Sequence, residues 1–194
     1  MKPLERKDLL DIASYEKVRD GRVAEIIELK KRRRLSVGDL VTLVFENRET
    51  MRSQIQEMMR AERTVDERAI QEELDVYNDL IPAAGELSAT LFIEVADQTR
   101  VREVLDRFIG LDEGGCVVLR FEGARTVRAR FAGGNSREDR ISAVHYLKFA
   151  LSASDRAAFS TDEGKLEIVI RHPNYEASAA IDGTIRRSLA EDLA

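Results

Sequence analysis

The chain has 194 residues, 43% of them hydrophobic and 35% charged. A chain of that length buries roughly 70% of the surface it exposes when unfolded, and this composition excludes disorder and collagen-like or low-complexity architecture. The single cysteine, Cys116, excludes an internal disulfide and a Cys-rich metal site. Together with charges scattered through the first twenty residues, it gives the expectation of a cytoplasmic protein.

The net charge of −5 hides an uneven layout. Residues 1–34 hold 11 basic and 7 acidic side chains, a balance of +4, which leaves −9 for the remainder. The excess comes from Lys30-Lys31-Arg32-Arg33-Arg34, a run compatible with nucleic acid, phosphate or an acidic partner. A solvated helix end explains it more simply, because cations suit the negative pole of a helix. Nucleic acid is not the expected partner, since there is no broad basic face and no aromatic stacking platform. No apolar stretch approaches the roughly 20 residues of a membrane helix, so no membrane is expected either.

In chain order, Leu9, Leu10 and Ile12 suggest a short helix, and Val23, Ile26 and Ile27 give residues 16–32 a narrow apolar stripe. Gly38-Asp39 punctuates, and Leu40 to Glu46 reads as a buried strand with Asn47 placed to cap the next helix. That helix, Arg48 to about Arg63, carries Met51, Ile55, Met58 and Met59 at helical spacing, better read as core filler than as ligands. Thr64-Val65-Asp66-Glu67 matches a capping box and predicts a helix to about Leu80, stopped by Pro82.

From Gly85 the period changes to alternation, with Leu87, Ala89, Leu91, Ile93 and Val95 on one strand face. Asp97 starts a short helix that Gly110 ends. Cys116 to Glu122 and Arg125 to Ala132 form a hairpin pattern around Gly123-Ala124, followed by a loop at Gly133 to Ser136. Strands are predicted at Ile141 to Leu151, Leu166 to His172 and Tyr175 to Ile181, with Pro173-Asn174 as a turn and a helix after Asp182. The expected fold is α+β: a mostly antiparallel sheet with an N-terminal helical layer and a C-terminal helix. One domain over 1–194 is expected, the alternative being a helical lobe 1–82 followed by an α+β lobe 83–194.

The stretch VTLVFENRETMRSQIQEMMRAER (41–63) continues into EELDVYNDLIPAAGELSATLFIE (72–94), AVHYLKFAL (143–151) and RHPNYEASAAI (171–181). Over essentially its full length the chain resembles the bacterial family catalogued as domain of unknown function 3501. The resemblance brings no established activity. It implies a context of rubrerythrin-like and iron–sulfur neighbours, and so a redox or iron-handling protein partner.

The familiar catalytic motifs are absent: no phosphate loop, dinucleotide turn, nucleophile elbow or HExxH helix. No cofactor and no metal are expected, since neither His145 nor His172 follows a glutamate at the spacing of a ferritin-like di-iron site. Cys116, on a Val- and Leu-rich strand, reads as a small buried hydrophobe. Two constellations remain. His145 and His172 both count inward, with Tyr175 near the second, and on neighbouring strands they would share a proton or a metal; two separate core histidines are the plainer alternative. Glu46, Asn47 and Arg48 mark a strand-to-helix junction suited to anions, with Gln54 and Glu57 along the helix, and capping plus surface pairs are the alternative there. Two functions follow. One is a non-catalytic accessory protein with a protein partner, itself included as a homodimer; the other is an enzyme or binding module for a small anion with an Arg/Glu/His pocket.

Overall fold

The computed structural model describes residues 1–113, 115–132, 136–137, 140–161 and 164–193. The N-terminal segment makes one 3-10 turn at Arg6–Asp8 and enters α1, Ile12–Lys31, where Asp11 accepts a hydrogen bond from the Ser14 amide. The short helix expected around Leu9 is therefore replaced by a linker, and α1 starts four residues before the predicted position. A hairpin of β1 (Arg34–Val37) and β2 (Val41–Glu46) leads to α2 (Arg48–Glu62) and α3 (Glu67–Asn78). The cap of α3 is Asp66, bonded to the Ala69 amide, and not the Thr64 box. Thr64 is still tied to α2, its amide donating to Met59 O over a left-handed Arg63.

The sheet half begins with β3 (Glu86–Ile93), followed by α4 (Val101–Asp106), β4 (Val117–Phe121), β5 (Thr126–Arg128) and β6 (Arg130–Phe131). Next come β7 (Ser136–Arg137), β8 (Arg140–Ile141), β9 (Val144–Ala150) and α5 (Ala153–Ser160), then β10 (Leu166–His172), β11 (Tyr175–Ala180) and α6 (Gly183–Leu193). Among the described residues all pairing is antiparallel, in two main sheets ordered β1-β2-β3-β9-β6 and β11-β10-β4-β5, beside a small β7-β8 pair. The α+β class, the N-terminal helices and the C-terminal helix are as the sequence predicts. The loop expected at Gly133 lies outside the described residues as far as 135, and Ser136 already belongs to β7.

Odd-numbered residues of β2 and β3, such as Leu43, Phe45, Leu87 and Leu91, meet Leu119, Ile168 and Ile170 of the other sheet in one core. Period-2 alternation alone leaves the even-numbered side to water. Here Thr42, Val44, Glu46, Ser88 and Thr90 are buried as well, so a layer must cover them. Tyr146 of β9 shows which, joining Met51, Ile55, Met59, Ile70 and Leu74 of α2 and α3 in a second apolar cluster. Each such fully buried aliphatic side chain stabilises the packing by about 1.5–3 kcal/mol.

The predicted strand Arg125 to Ala132 is two strands in two sheets. β5 pairs with β4, the Ala129 amide donates to Val117 O, and β6 then pairs with β9. The helix α5 was not predicted, although Ser152 and Asp155 form its capping box. Its last carbonyls Ala158 O and Phe159 O accept from Arg186 of α6, which also donates to Gly164 O beyond the helix. That arrangement answers acceptors the helix itself leaves open.

The β1–β2 turn shows a glycine required twice over. Gly38 has φ +76°, and a Cβ there would lie 2.3 Å from the Tyr175 hydroxyl and 2.9 Å from Ala177 Cβ. Gly21, inside α1, has nothing within 4 Å of the same position. The expected outcomes in denaturant unfolding are opposite: Gly38→Ala loses about 2–4 kcal/mol, while Gly21→Ala gains about 0.5–1 kcal/mol.

Candidate functional site

The eight residues singled out from sequence are spread over three layers. Asn47 caps α2, its Oδ1 accepting from the Glu49 and Thr50 amides at 3.1 and 3.0 Å. Those are the amides an anion would use, and Arg48 beside them is engaged by Asp8 at 2.6 Å and by Lys2 O at 3.1 Å. The junction thus binds the N-terminal segment. Glu46 is 3% exposed; its Oε1 accepts from the Thr90 hydroxyl at 2.7 Å, and its Oε2 is buried without a hydrogen-bond partner among the described residues. Gln54 lies half-buried on α2, close to the Tyr77 hydroxyl.

The histidines do not share a site. His145 is on β9 of the five-stranded sheet and His172 on β10 of the four-stranded one, so the neighbouring-strand expectation fails although both rings are buried. His145 Nε2 lies 2.7 Å from Ser142 O, and its ring meets the Phe131 edge at 5.8 Å. Burial pushes its pKa below the ordinary 6.5. His172 uses both ring nitrogens: the Asn174 amide donates to Nδ1, and Nε2 lies 3.0 Å from Ile109 O. Tyr175, its register partner, donates to Val37 O and accepts from the Leu40 amide. Cys116 is half-buried with a thiol pKa raised by burial, the opposite of an activated thiolate.

Glu57 joins a network of residues that the sequence reading overlooked. Tyr15 and Arg19 of α1 both bond its carboxylate at 2.8 Å, Arg19 through two nitrogens. Arg19 holds Glu57 below the usual carboxylate range, while burial, then Glu57, pushes the Tyr15 hydroxyl up to about 12. The i, i+4 spacing of Tyr15 and Arg19 was the available signal.

The second overlooked cluster surrounds Arg33, 1% exposed. Its Nε donates to Phe45 O, Nη1 to Ser188 O and Oγ, and Nη2 to Glu46 O and the buried Asp192 carboxylate. Burial pushes the Asp192 carboxyl up, against the pull of Arg33. The parity of Arg33, Leu35 and Val37 carried this signal, since all three share the buried side.

A groove of about 330 Å³ opens between α1 and α2. Leu10, Tyr15, Ile26 and Leu29 supply its apolar surface, with Arg22, Arg32, Arg52, Asp8, Glu25 and Glu49 around them. Among the described residues, no three His, Cys, Asp or Glu side chains group closely enough to hold a metal ion, and no helix is long and apolar enough to cross a membrane.

A family model described as "Protein of unknown function (DUF3501)" matches residues 3–193. The chain belongs to this family. A crystal structure of a protein of unknown function from Burkholderia pseudomallei K96243 is 38% identical to it, with 100% of both chains covered and a TM-score of 0.91. No curated protein matches the sequence. This DUF3501 fold is thus seen in a second sequence, and neither comparison assigns an activity.

Two measurements test the buried groups. Asp192→Ala leaves the Arg33 charge uncompensated and is expected to cost about 3–5 kcal/mol of unfolding free energy. For His145 the folded pKa lies below the unfolded 6.5. Stability present above that value is therefore lost as the pH falls through the lower folded pKa. Urea unfolding between pH 7.5 and 5 is expected to show this loss, and His145→Gln to reduce its slope.

Proposed function

We propose that the protein is a non-catalytic interaction protein that presents its α1–α2 face to a protein partner. The observation that carries this reading is the groove: Leu10, 41% exposed, lines it with the half-buried Ile26 and Leu29, an apolar surface along a helix whose main neighbour is α2. Helices with such faces bury them on binding. The enzyme alternative requires Arg48, Glu57, His145, His172 and Tyr175 to converge in one pocket. Their placement on α2 and two separate sheets, each engaged with groups of its own chain, favours the binding reading.

The family resemblance supplies the class of partner to try first, a redox or iron-handling protein. Calorimetric titration of the purified chain with a rubrerythrin-like protein from the same genome is expected to show saturable binding. Elemental analysis of the chain alone is expected to show no stoichiometric metal. Tightly bound iron or zinc at one ion per chain would overturn the proposal.

A further inference from the structure

We infer that residues 4–10 lie in a peptide-binding groove of α2 and α3, as a strap that gives way to a segment of a protein partner with the same pattern: two leucines five residues apart, a basic and an acidic side chain between them. The inference goes beyond the α1–α2 reading, since the two surfaces meet only at Asp8, Leu10 and Gln56.

The strap is held by its main chain at both ends. Asn78 of α3 accepts from the Leu4 amide at 2.7 Å through Oδ1 and donates to Leu4 O at 3.0 Å through Nδ2. Gln56 of α2 does the same at the other end, accepting from the Leu10 amide at 2.6 Å and donating to Leu10 O at 3.2 Å. Each carboxamide thus engages both polar groups of one residue's backbone, a contact that every residue type except proline offers. Gln56 is 5% exposed, and a buried carboxamide is costly unless both its ends are bonded. An apolar side chain would fix a permanent segment without that cost, whereas paired clamps suit a main chain that is received as a ligand.

The side chains between the clamps define the pattern. Leu4 and Leu9, 3% and 5% exposed, enter the apolar cluster of Met51, Ile55, Met59, Ile70 and Leu74. Arg6 pairs with Glu67 of α3 and Asp8 with Arg48 of α2, so the groove asks for a cation toward one helix and an anion toward the other. Among the described residues, the backbone of 4–10 bonds to other backbone only within itself, Asp8 amide to Glu5 O and Leu9 amide to Arg6 O. A segment outside both sheets opens without breaking a ladder. Its tether holds it at an effective concentration on the order of millimolar, which a partner's segment has to outcompete.

The probe is a fluorescent, end-blocked synthetic peptide with the sequence of residues 2–11, titrated into the full chain and followed by anisotropy. The full-length Leu4→Ser/Leu9→Ser variant, its circular dichroism retained, is expected to bind the peptide saturably and about tenfold or more tighter than the unmodified chain, because its own strap competes less. Adding Asn78→Ala is expected to weaken that binding about tenfold. The peptide carrying Leu4→Ser and Leu9→Ser should not bind. Hydrogen exchange of the unmodified chain needs no variant: the Leu4 and Leu10 amides are expected to exchange about a hundredfold faster than the Phe45 amide, which is bonded to Arg33 O. Exchange of all three at one rate overturns the inference, as does a folded double variant that ignores the peptide, or binding indifferent to the peptide's leucines or to Asn78. Those outcomes leave the α1–α2 reading standing, and a stoichiometric metal would overturn that reading without touching this one.

Discussion

A guanidinium withdrawn from water must find an acceptor for every N–H group, and Arg33 meets that demand with groups from two distant parts of the chain. Its partners are the carbonyls at the end of β2 and the Ser188 and Asp192 side of α6, while its own carbonyl accepts from the Phe45 amide. Because Arg33 stands between α1 and β1, this one residue fixes where the long helix ends, where the first hairpin starts and where the C-terminal helix docks. Removing a single partner would strand a charge in the interior. A buried ion pair of this kind sets geometry more than it adds stability.

The same constraint shapes the helical layer. α1 is held at its start by the bonds of Tyr15 and Arg19 to Glu57, and at its end by the Arg33 anchor, with the groove lying toward the second of these. The side chains between the two fixed points are those left half-covered. An apolar stripe on a helix pinned at both ends cannot fold away against its own sheet, so it remains available to another chain. The imidazoles follow the opposite pattern, each enclosed in a different sheet and engaged by main-chain atoms.

Much of this fold was legible in the residues. The spacing of Met51, Ile55 and Met59 and the alternation in β3 report core-facing periodicity, and Asn47 and Asp97 are caps where a local carboxamide or carboxylate signal predicts them. What was hidden depends on tertiary context. Arg33 sits within a run of five cations, and composition assigns such a run to solvent; only its parity with Leu35 and Val37 distinguishes it. The strand predicted over Arg125 to Ala132 has uniform β character, and no local preference records that its halves pair with different sheets. Inward-pointing histidines were recognised, but the sequence does not say which strands are neighbours, and the anion-site reading of Asn47 and Arg48 could not foresee that Asp8 and Lys2 would engage Arg48.

The passage of one strand between sheets at Ala129 has a mechanical meaning. Its amide closes the ladder of one sheet at Val117, and the next residue opens the ladder of the other at Lys148. The two layers are therefore stitched by continuous covalent backbone as well as by contact of side chains. A shearing displacement between them would tear hydrogen bonds in both ladders at once, which makes the sandwich a stiff platform and leaves compliance to the helices that ride on it.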